Sequence, residues 1–92
     1  MPVMTGAQAL VAALKANGID TIFGLPGAQL DHVFDALYDE REAIRVIDTR
    51  HEQGAAYMAY GYARSSDRIG TCLVVPGPGL LNTGAALCTA HG

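Results

Sequence analysis

The chain has 92 residues, of which half are hydrophobic and 16% are charged, and its formal net charge at pH 7 is −3. Its six basic residues are scattered, so they form no concentrated basic face of the kind that binds nucleic acid. No apolar run reaches the ~18–20 residues needed to cross a bilayer, and the first ten residues lack the pattern of a signal peptide.

The cysteines bear on the cellular compartment of the protein, and the high share of apolar residues bears on whether the chain is a complete domain. Cys72 and Cys88 form no CxxC motif, and we expect both to be reduced core residues of a cytoplasmic protein. A chain of this length buries only ~60–65% of its unfolded surface, so the apolar share is high for an independent small body. The chain also stops at Gly92 without an obvious terminating structure. We therefore expect residues 1–92 to form a single incomplete domain of a larger protein.

The first helix signal is a capping box. Thr5 and Gln8 have the spacing at which a hydroxyl and a glutamine side chain each satisfy one free amide of the first turn. The helix should run to about Asn17, with Gly18 as its C-terminal stop. Its apolar face is expected to consist of Leu10, Ala13 and Leu14.

Three short apolar runs predict strands, and three further segments predict helices. The strands are expected near residues 20–23, 44–48 and 70–75. The next helix should end near Tyr38, because apolar residues recur with the spacing of one helix face at Leu30, Val33, Phe34 and Leu37. Thr49 is the candidate N-cap of a helix over 52–64, and a last helix is expected over 81–90.

The order αβαβαβα predicts an α/β fold of three layers, with a parallel sheet and helices on both faces. Ligands of such sheets bind beyond the carboxyl ends of the strands. Three loops should emerge there: Gly24–Ala28, Asp48–Glu52 and Pro76–Asn82. Because they leave one edge of the sheet, we expect Glu52 within ~10–12 Å of both Gly27 and Gly79.

Each of these loops has two interpretations. Glycines on both sides of Pro26 allow the backbone to approach a flat ring or a phosphate, but they also suit a plain strand-to-helix turn. Glu52 is either a helix-capping residue or a carboxylate facing a planar ligand beside the small residues that follow it. The third loop matches GxGxxG only in part, because Asn82 stands where the third glycine would be.

Two other kinds of site are not indicated. His32, His51 and His91 have no ligand-like spacing with one another or with the cysteines, so we expect no metal site made by this chain. His32 should lie on an exposed helix face. Ser65 and Ser66 belong to a polar turn and not to a GxSxG nucleophile elbow, which argues against a serine hydrolase.

The three loops taken together carry a more specific pattern. TxFGxPG, RHEQGAAYMAYGYAR and GPGxxN follow one another over Thr21–Gly27, Arg50–Arg64 and Gly77–Asn82. In that order and at those separations they resemble the acetolactate synthase and pyruvate oxidase-like family of thiamine diphosphate-dependent enzymes. The resemblance implies that the chain is the first half of a pyrimidine-binding domain, a partial thiamine diphosphate-binding fold.

The resemblance also assigns roles to individual residues. It implies that Glu52 is the catalytic carboxylate that hydrogen-bonds N1′ of the aminopyrimidine ring and so activates the cofactor. Such a carboxyl must share a proton, and an apolar, ring-covered setting is expected to raise its pKa. The other positions that the resemblance places against the cofactor are Pro26, Gly27, Val75, Pro78 and Asn82. Many members have Thr-Ser before GPG, and Val75-Pro76 here removes both hydroxyls.

The resemblance further implies partners that this chain does not supply. A Mg²⁺-diphosphate site of the Gly-Asp-Gly…Asn-Asn type is absent from these residues, so Mg²⁺ would be bound elsewhere in the protein. The diphosphate-binding domain would come from a second subunit of a homo-oligomer, a dimer or tetramer. The substrate would be a 2-oxo acid, and FAD, which some members bind, is not indicated here.

Individual residues favour some subgroups of the resembled family over others, and two rival interpretations of the chain stay open. Ala28 argues against decarboxylases of pyruvate or indolepyruvate, which carry an acidic residue there, and Glu52 argues against glyoxylate carboligase-like members. We expect a carboligase (transferase) or decarboxylase (lyase) of 2-oxo acids. One alternative is a nicotinamide-dinucleotide-binding Rossmann module, with Gly24 after the first strand and Asp48 after the second. Another is an inactive fragment with no catalysis of its own.

Overall fold

The computed structural model describes residues 3–92. The first two residues of the single domain expected over residues 1–92 lie outside this range. A three-stranded parallel sheet forms its centre. No helix among residues 3–92 is both long and apolar enough to cross a membrane. The elements in chain order are α1 (Gly6–Ala16), β1 (Thr21–Gly24), α2 (Asp31–Asp39), β2 (Arg45–Asp48), α3 (Glu52–Ser66), β3 (Cys72–Leu73), α4 (Pro78–Leu81) and α5 (Gly84–His91).

The start of α1 confirms the capping box. The amide of Gln8 donates a hydrogen bond to Thr5 Oγ1 (3.1 Å), and the amide of Thr5 donates one to Gln8 Oε1 (3.0 Å). After the helix, Gly18 has a φ of 78°, a left-handed conformation that glycine adopts without steric cost. The sequence therefore predicted both ends of this helix.

The predicted apolar face of α1 is partly wrong. Val11 is the buried residue of the helix, and Ala7 and Leu14 pack beside it at helical spacing. Leu10 is 43% exposed and Ala13 is exposed. Apolar residues occur nearly all round this helix, so the pattern alone does not indicate which stripe the sheet covers.

Helices cover both faces of the sheet, so the fold is the three-layer α/β arrangement. Adjacent residues of β1 point to opposite faces, as the pleat of a strand requires. On one face Ile22 packs in a core with α1 and α2, whose buried residues are Val11, Ile19, Ile22, Ala36, Leu37 and Ile44. On the other face Phe23 packs against α3 with Ala55 and Ala59, and α5 packs on α3 in turn.

The strand order β2-β1-β3 places β1 in the middle of the sheet. The chain moves from β1 to one neighbour through α2 and then returns past β1 to the other neighbour through α3. The direction of winding thus reverses between β1 and β3. In open parallel sheets a crevice forms at such a point, outside the carboxyl ends of the strands, and ligands bind in it.

Two elements differ most from the sequence prediction. β3 has two residues because β1, its partner, ends at Gly24 opposite Leu73, which leaves Val74 and Val75 beyond the ladder. The expected helix over 81–90 is divided into α4 and α5 near Thr83, whose hydroxyl and amide both donate to the Leu80 carbonyl (2.6 and 3.0 Å).

The second cysteine and the predicted serine turn also differ from the sequence prediction. Cys72 packs in the Phe23 core, but Cys88 is exposed, so the prediction of two core cysteines is wrong for the second. Ser65 and Ser66 are the last residues of α3 and not a loop, because their hydroxyls donate to carbonyls of the preceding turn. Asp67 follows in the left-handed conformation and ends the helix.

Candidate functional site

Backbone hydrogen bonds join the first loop to its neighbours on both sides at the carboxyl edge of the sheet. The amide of Thr49, in the second loop, donates to the Gly24 carbonyl (3.0 Å). The amide of Leu25, in the first loop, donates to the carbonyl of Leu73 at the end of β3 (3.3 Å). The first loop is therefore bonded to the second loop on one side and to the end of β3, which leads into the third loop, on the other.

Val75 separates the first loop from the third. A Cβ atom added at Gly27 would lie 2.5 Å from Val75 Cγ1, and one added at Gly79 would lie 2.8 Å from Val75 Cγ2. Both distances are too short for non-bonded carbon atoms, so only glycine fits at either position while the valine keeps its place. Val75 thus packs its two methyl groups between two glycines. It stands where many members of the resembled family have threonine.

Glu52 is the first residue of α3, as the sequence predicts. The N-cap, however, is His51 and not Thr49: the Gln53 amide donates to His51 Nδ1 (3.0 Å). Thr49 instead donates its hydroxyl to the His51 carbonyl (3.0 Å). The preference of helices for threonine over histidine at the N-cap misled the sequence prediction by two residues.

The carboxylate of Glu52 reaches the third loop. Asn82 Nδ2 donates a hydrogen bond to Glu52 Oε1 (3.2 Å), although the two residues are 30 positions apart. A Cβ atom added at Gly79 would lie 3.5 Å from Glu52 Oε2, so the second carboxylate oxygen lies over this buried glycine. Glu52 is half-buried. It does not point away from the loops into solvent, as a mere capping residue would.

The electrostatic surroundings favour the ionised form of Glu52. Hydrogen bonding to its own backbone amide is the largest influence that lowers the pKa of the carboxyl, and the Asn82 amide adds to it. Partial burial acts in the opposite direction, and the neighbouring His51 lowers the pKa slightly further. In the described chain hydrogen-bond donors outweigh desolvation at this half-buried position, and the rise of the pKa expected for an apolar, ring-covered setting stays a prediction.

The structure brings together four of the six residues that the sequence singled out. Gly27 contacts Val75, and Glu52 contacts Asn82, with Gly79 between the two pairs. The two prolines, Pro26 and Pro78, are exposed and belong to the same loops. Among residues 3–92 no group of three or more His, Cys, Asp or Glu side chains is arranged to hold a metal ion.

Two residues of this site, Gly79 and His51, are not identified as site residues by the sequence pattern. The sequence predicts Gly79 near Glu52 but not among the ligand-facing residues, although its place in GPG marks a close approach of the backbone. His51 as an N-cap had no signal beyond its position before the helix.

Comparison with known proteins identifies a family. Residues 4–92 match the model described as "Thiamine pyrophosphate enzyme, N-terminal TPP binding domain". The acetolactate synthase isozyme 2 large subunit of Escherichia coli K12 is 46% identical over 87 residues, which are 95% of this chain and 16% of that protein. An acetolactate synthase of Mycobacterium bovis is 42% identical over 88 residues, 96% of this chain and 14% of that protein.

A relative with a different name matches about as well. The probable 2-ketoarginine decarboxylase of Pseudomonas aeruginosa is 44% identical over 88 residues, 96% of this chain and 15% of that protein. The chain thus spans 14–16% of the length of these curated relatives.

Proposed function

Because this chain belongs to the thiamine pyrophosphate enzyme family, whose N-terminal TPP-binding domain matches residues 4–92, we propose that it forms the pyrimidine-facing wall of a thiamine diphosphate-dependent carboligase or decarboxylase of 2-oxo acids. The names of the relatives support both reaction types, since they include acetolactate synthases and a probable 2-ketoarginine decarboxylase. The observation that carries the proposal is the half-buried carboxylate of Glu52 at the carboxyl edge of the sheet, held against the third loop.

The residues at this edge fit a flat heteroaromatic ring. Gly27 and Gly79 present backbone instead of side chains, and Val75 fills the space between them. Pro26 and Pro78 add exposed apolar rings at the margins. Glu52 is the titratable side chain that reaches the third loop, and a carboxylate can accept a hydrogen bond from a ring nitrogen or share a proton with it.

The chemistry required of this chain is confined to one proton. Thiamine diphosphate, when bound, supplies the nucleophilic carbon and the electron sink for making or breaking the bond next to the carbonyl of a 2-oxo acid. Glu52 would exchange a proton with ring nitrogen N1′ through its carboxyl group. A ring lying over Glu52 would exclude water and raise its pKa from the lowered value of the described chain. General acid–base help of this kind contributes ~10²–10⁴-fold to a rate.

Other parts of the machinery are expected outside these residues. We propose that Mg²⁺ and the diphosphate bind to another domain of the same kind of protein, contributed by a second subunit of a homo-oligomer. We also propose a cytoplasmic location for the protein, in which Cys72 and Cys88 would be reduced.

Of the alternatives, the dinucleotide module has little support. Gly24 and Asp48 are direct neighbours in the parallel register of β1 and β2, as that alternative requires. However, the first loop has G-x-x-G in place of G-x-G-x-x-G, and the match to the thiamine pyrophosphate family includes this loop. An inactive fragment stays compatible with the family, since ancestry does not establish activity.

Substitution of Glu52→Gln in the full-length protein that carries this chain tests the proposal. The amide keeps the shape of the side chain but cannot share a proton at N1′, so cofactor affinity should be largely kept while turnover of 2-oxo acids falls ~10²-fold or more. Glu42→Gln is the matched control, because Glu42 is an exposed glutamate in the turn after α2. Calorimetry with thiamine diphosphate and Mg²⁺ measures affinity, and release of CO₂ measures turnover. Near-normal turnover of Glu52→Gln would refute the role of Glu52.

A further inference from the structure

The third loop fixes the position of Asn82. Gly77, with a φ of 73°, turns the chain into α4, and the amide of Asn82 donates to the Pro78 carbonyl (3.0 Å) at the end of this single helical turn. The side chain then donates Nδ2–H to Glu52 Oε1 at 3.2 Å. The asparagine is thus anchored by its backbone and bonded to the carboxylate by its side chain.

Few other groups can orient the Glu52 side chain or shift the pKa of its carboxyl. Residues 24–30 and 74–84, which include the first and third loops, contain no titratable side chain. The titratable and charged residues of the second loop are Asp48, Arg50 and His51, and of these His51 acts on the Glu52 carboxyl in the described chain. Across the site, Asn82 is therefore the polar side chain that the described structure places on Glu52.

We propose that Asn82 is a positioning residue, which holds the Glu52 carboxylate through Nδ2–H···Oε1 and leaves the other oxygen, over Gly79, to meet the cofactor ring. The inference rests on the proposed function. It differs from the role that family resemblance implies for Asn82, which is direct contact with the pyrimidine. A glutamate side chain loses much rotamer freedom when it is fixed, so a partner that fixes it in advance spares that cost when the ring binds.

The asparagine also contributes to the lowered pKa of the glutamate. Its amide is a donor to the ionised carboxyl and lowers the Glu52 pKa. Removing the donor should raise that pKa, and placing a second carboxylate at the same position should raise it further. The order of these two effects separates a positioning role from a purely structural one, because an aspartate keeps the shape of asparagine.

Asn82→Leu and Asn82→Asp in the full-length protein test this inference, with Glu52→Gln as the reference. The first readout is the pH dependence of thiamine diphosphate affinity, measured by calorimetry at constant Mg²⁺. Loss of the pH-dependent step in Glu52→Gln identifies the midpoint that belongs to Glu52. We expect this midpoint to move to higher pH in Asn82→Leu and still higher in Asn82→Asp. Asn82→Asp also guards against misfolding of the leucine variant.

The second readout is the division of the effect between kcat and affinity. At saturating cofactor, Asn82→Leu should lower kcat on the order of tenfold, while affinity at a pH where Glu52 is ionised changes by less than about threefold. An unchanged midpoint in Asn82→Leu would overturn the inference, as would a large loss of affinity with kcat intact, which indicates direct ring contact. If Glu52→Gln alters neither turnover nor the pH profile, the proposed function fails as well. If Glu52→Gln lowers turnover and Asn82→Leu leaves the midpoint in place, only this inference fails.

Discussion

Adding one methyl group at Gly27 tests whether Val75 fills the space between the first and third loops. The φ of Gly27 is −158°, an extended conformation that alanine adopts freely, so Gly27→Ala introduces no backbone strain. Its new Cβ would lie 2.5 Å from Val75 Cγ1 and 3.8 Å from Val75 Cβ. The clash thus involves a methyl group that Val75→Ala removes, and the remaining contact is of ordinary length.

These distances set the expected magnitudes. Gly27→Ala alone should destabilise the site by about 2 kcal/mol, the middle of the range for overpacking by one methyl group. Val75→Ala alone should cost about 1 kcal/mol, because the side chain is half-buried and loses two methyl groups. The double variant should cost little more than Val75→Ala, which gives a coupling energy of about 2 kcal/mol.

Amide hydrogen exchange in the full-length protein is the suitable assay, since it measures opening of β1 and β3 separately from other domains. Val75 also contacts Gly79, so Gly79→Ala, whose Cβ would meet Val75 Cγ2, should be rescued by Val75→Ala in the same way. Independent sites add within about 0.3–0.5 kcal/mol. Additive effects within that margin for both glycines would show that Val75 does not lie between the loops.

Two further predictions concern residues away from the site. Gly70→Ala should destabilise the fold by about 3 kcal/mol or more, because its Cβ would lie 2.0 Å from the backbone oxygen of Ala59. Gly61→Ala, with open space around it in α3, should instead stabilise the fold by about 0.5–1 kcal/mol. Thermal unfolding of both variants checks this pair, and equal effects would contradict it. The Asp20 pKa is lowered chiefly by the hydrogen bond from Tyr62, so this carboxylate stabilises the fold above its unfolded pKa and loses that contribution as pH falls through the lowered folded value. The stability difference between wild type and Tyr62→Phe should therefore be full at neutral pH and shrink below pH ~4 in pH-dependent denaturation, and a difference independent of pH would refute the linkage.

The sequence by itself determined the elements and their order. Capping and glycine signals located α1, and the spacing of apolar residues located α2, because both reflect local backbone geometry that a few neighbouring residues control. Alternation of strands and helices indicated a parallel sheet, and parallel strands bring their carboxyl ends to one edge. The three loops that meet there were predictable for that reason, and their motifs pointed to the thiamine pyrophosphate family.

The tertiary structure decided which atoms meet at that edge. No local pattern relates Glu52 to Asn82, 30 positions later, or shows that the methyl groups of Val75 separate Gly27 from Gly79. The strand order decided these contacts, because β1 lies between β2 and β3 and thereby sets which loops are neighbours. It also decided the length of β3, which ends where its partner strand ends. The lowered pKa of Glu52 followed only in part from the same packing: the Asn82 donor and the partial burial of the carboxyl are known only once the chain is folded, whereas the bond to its own backbone amide is local.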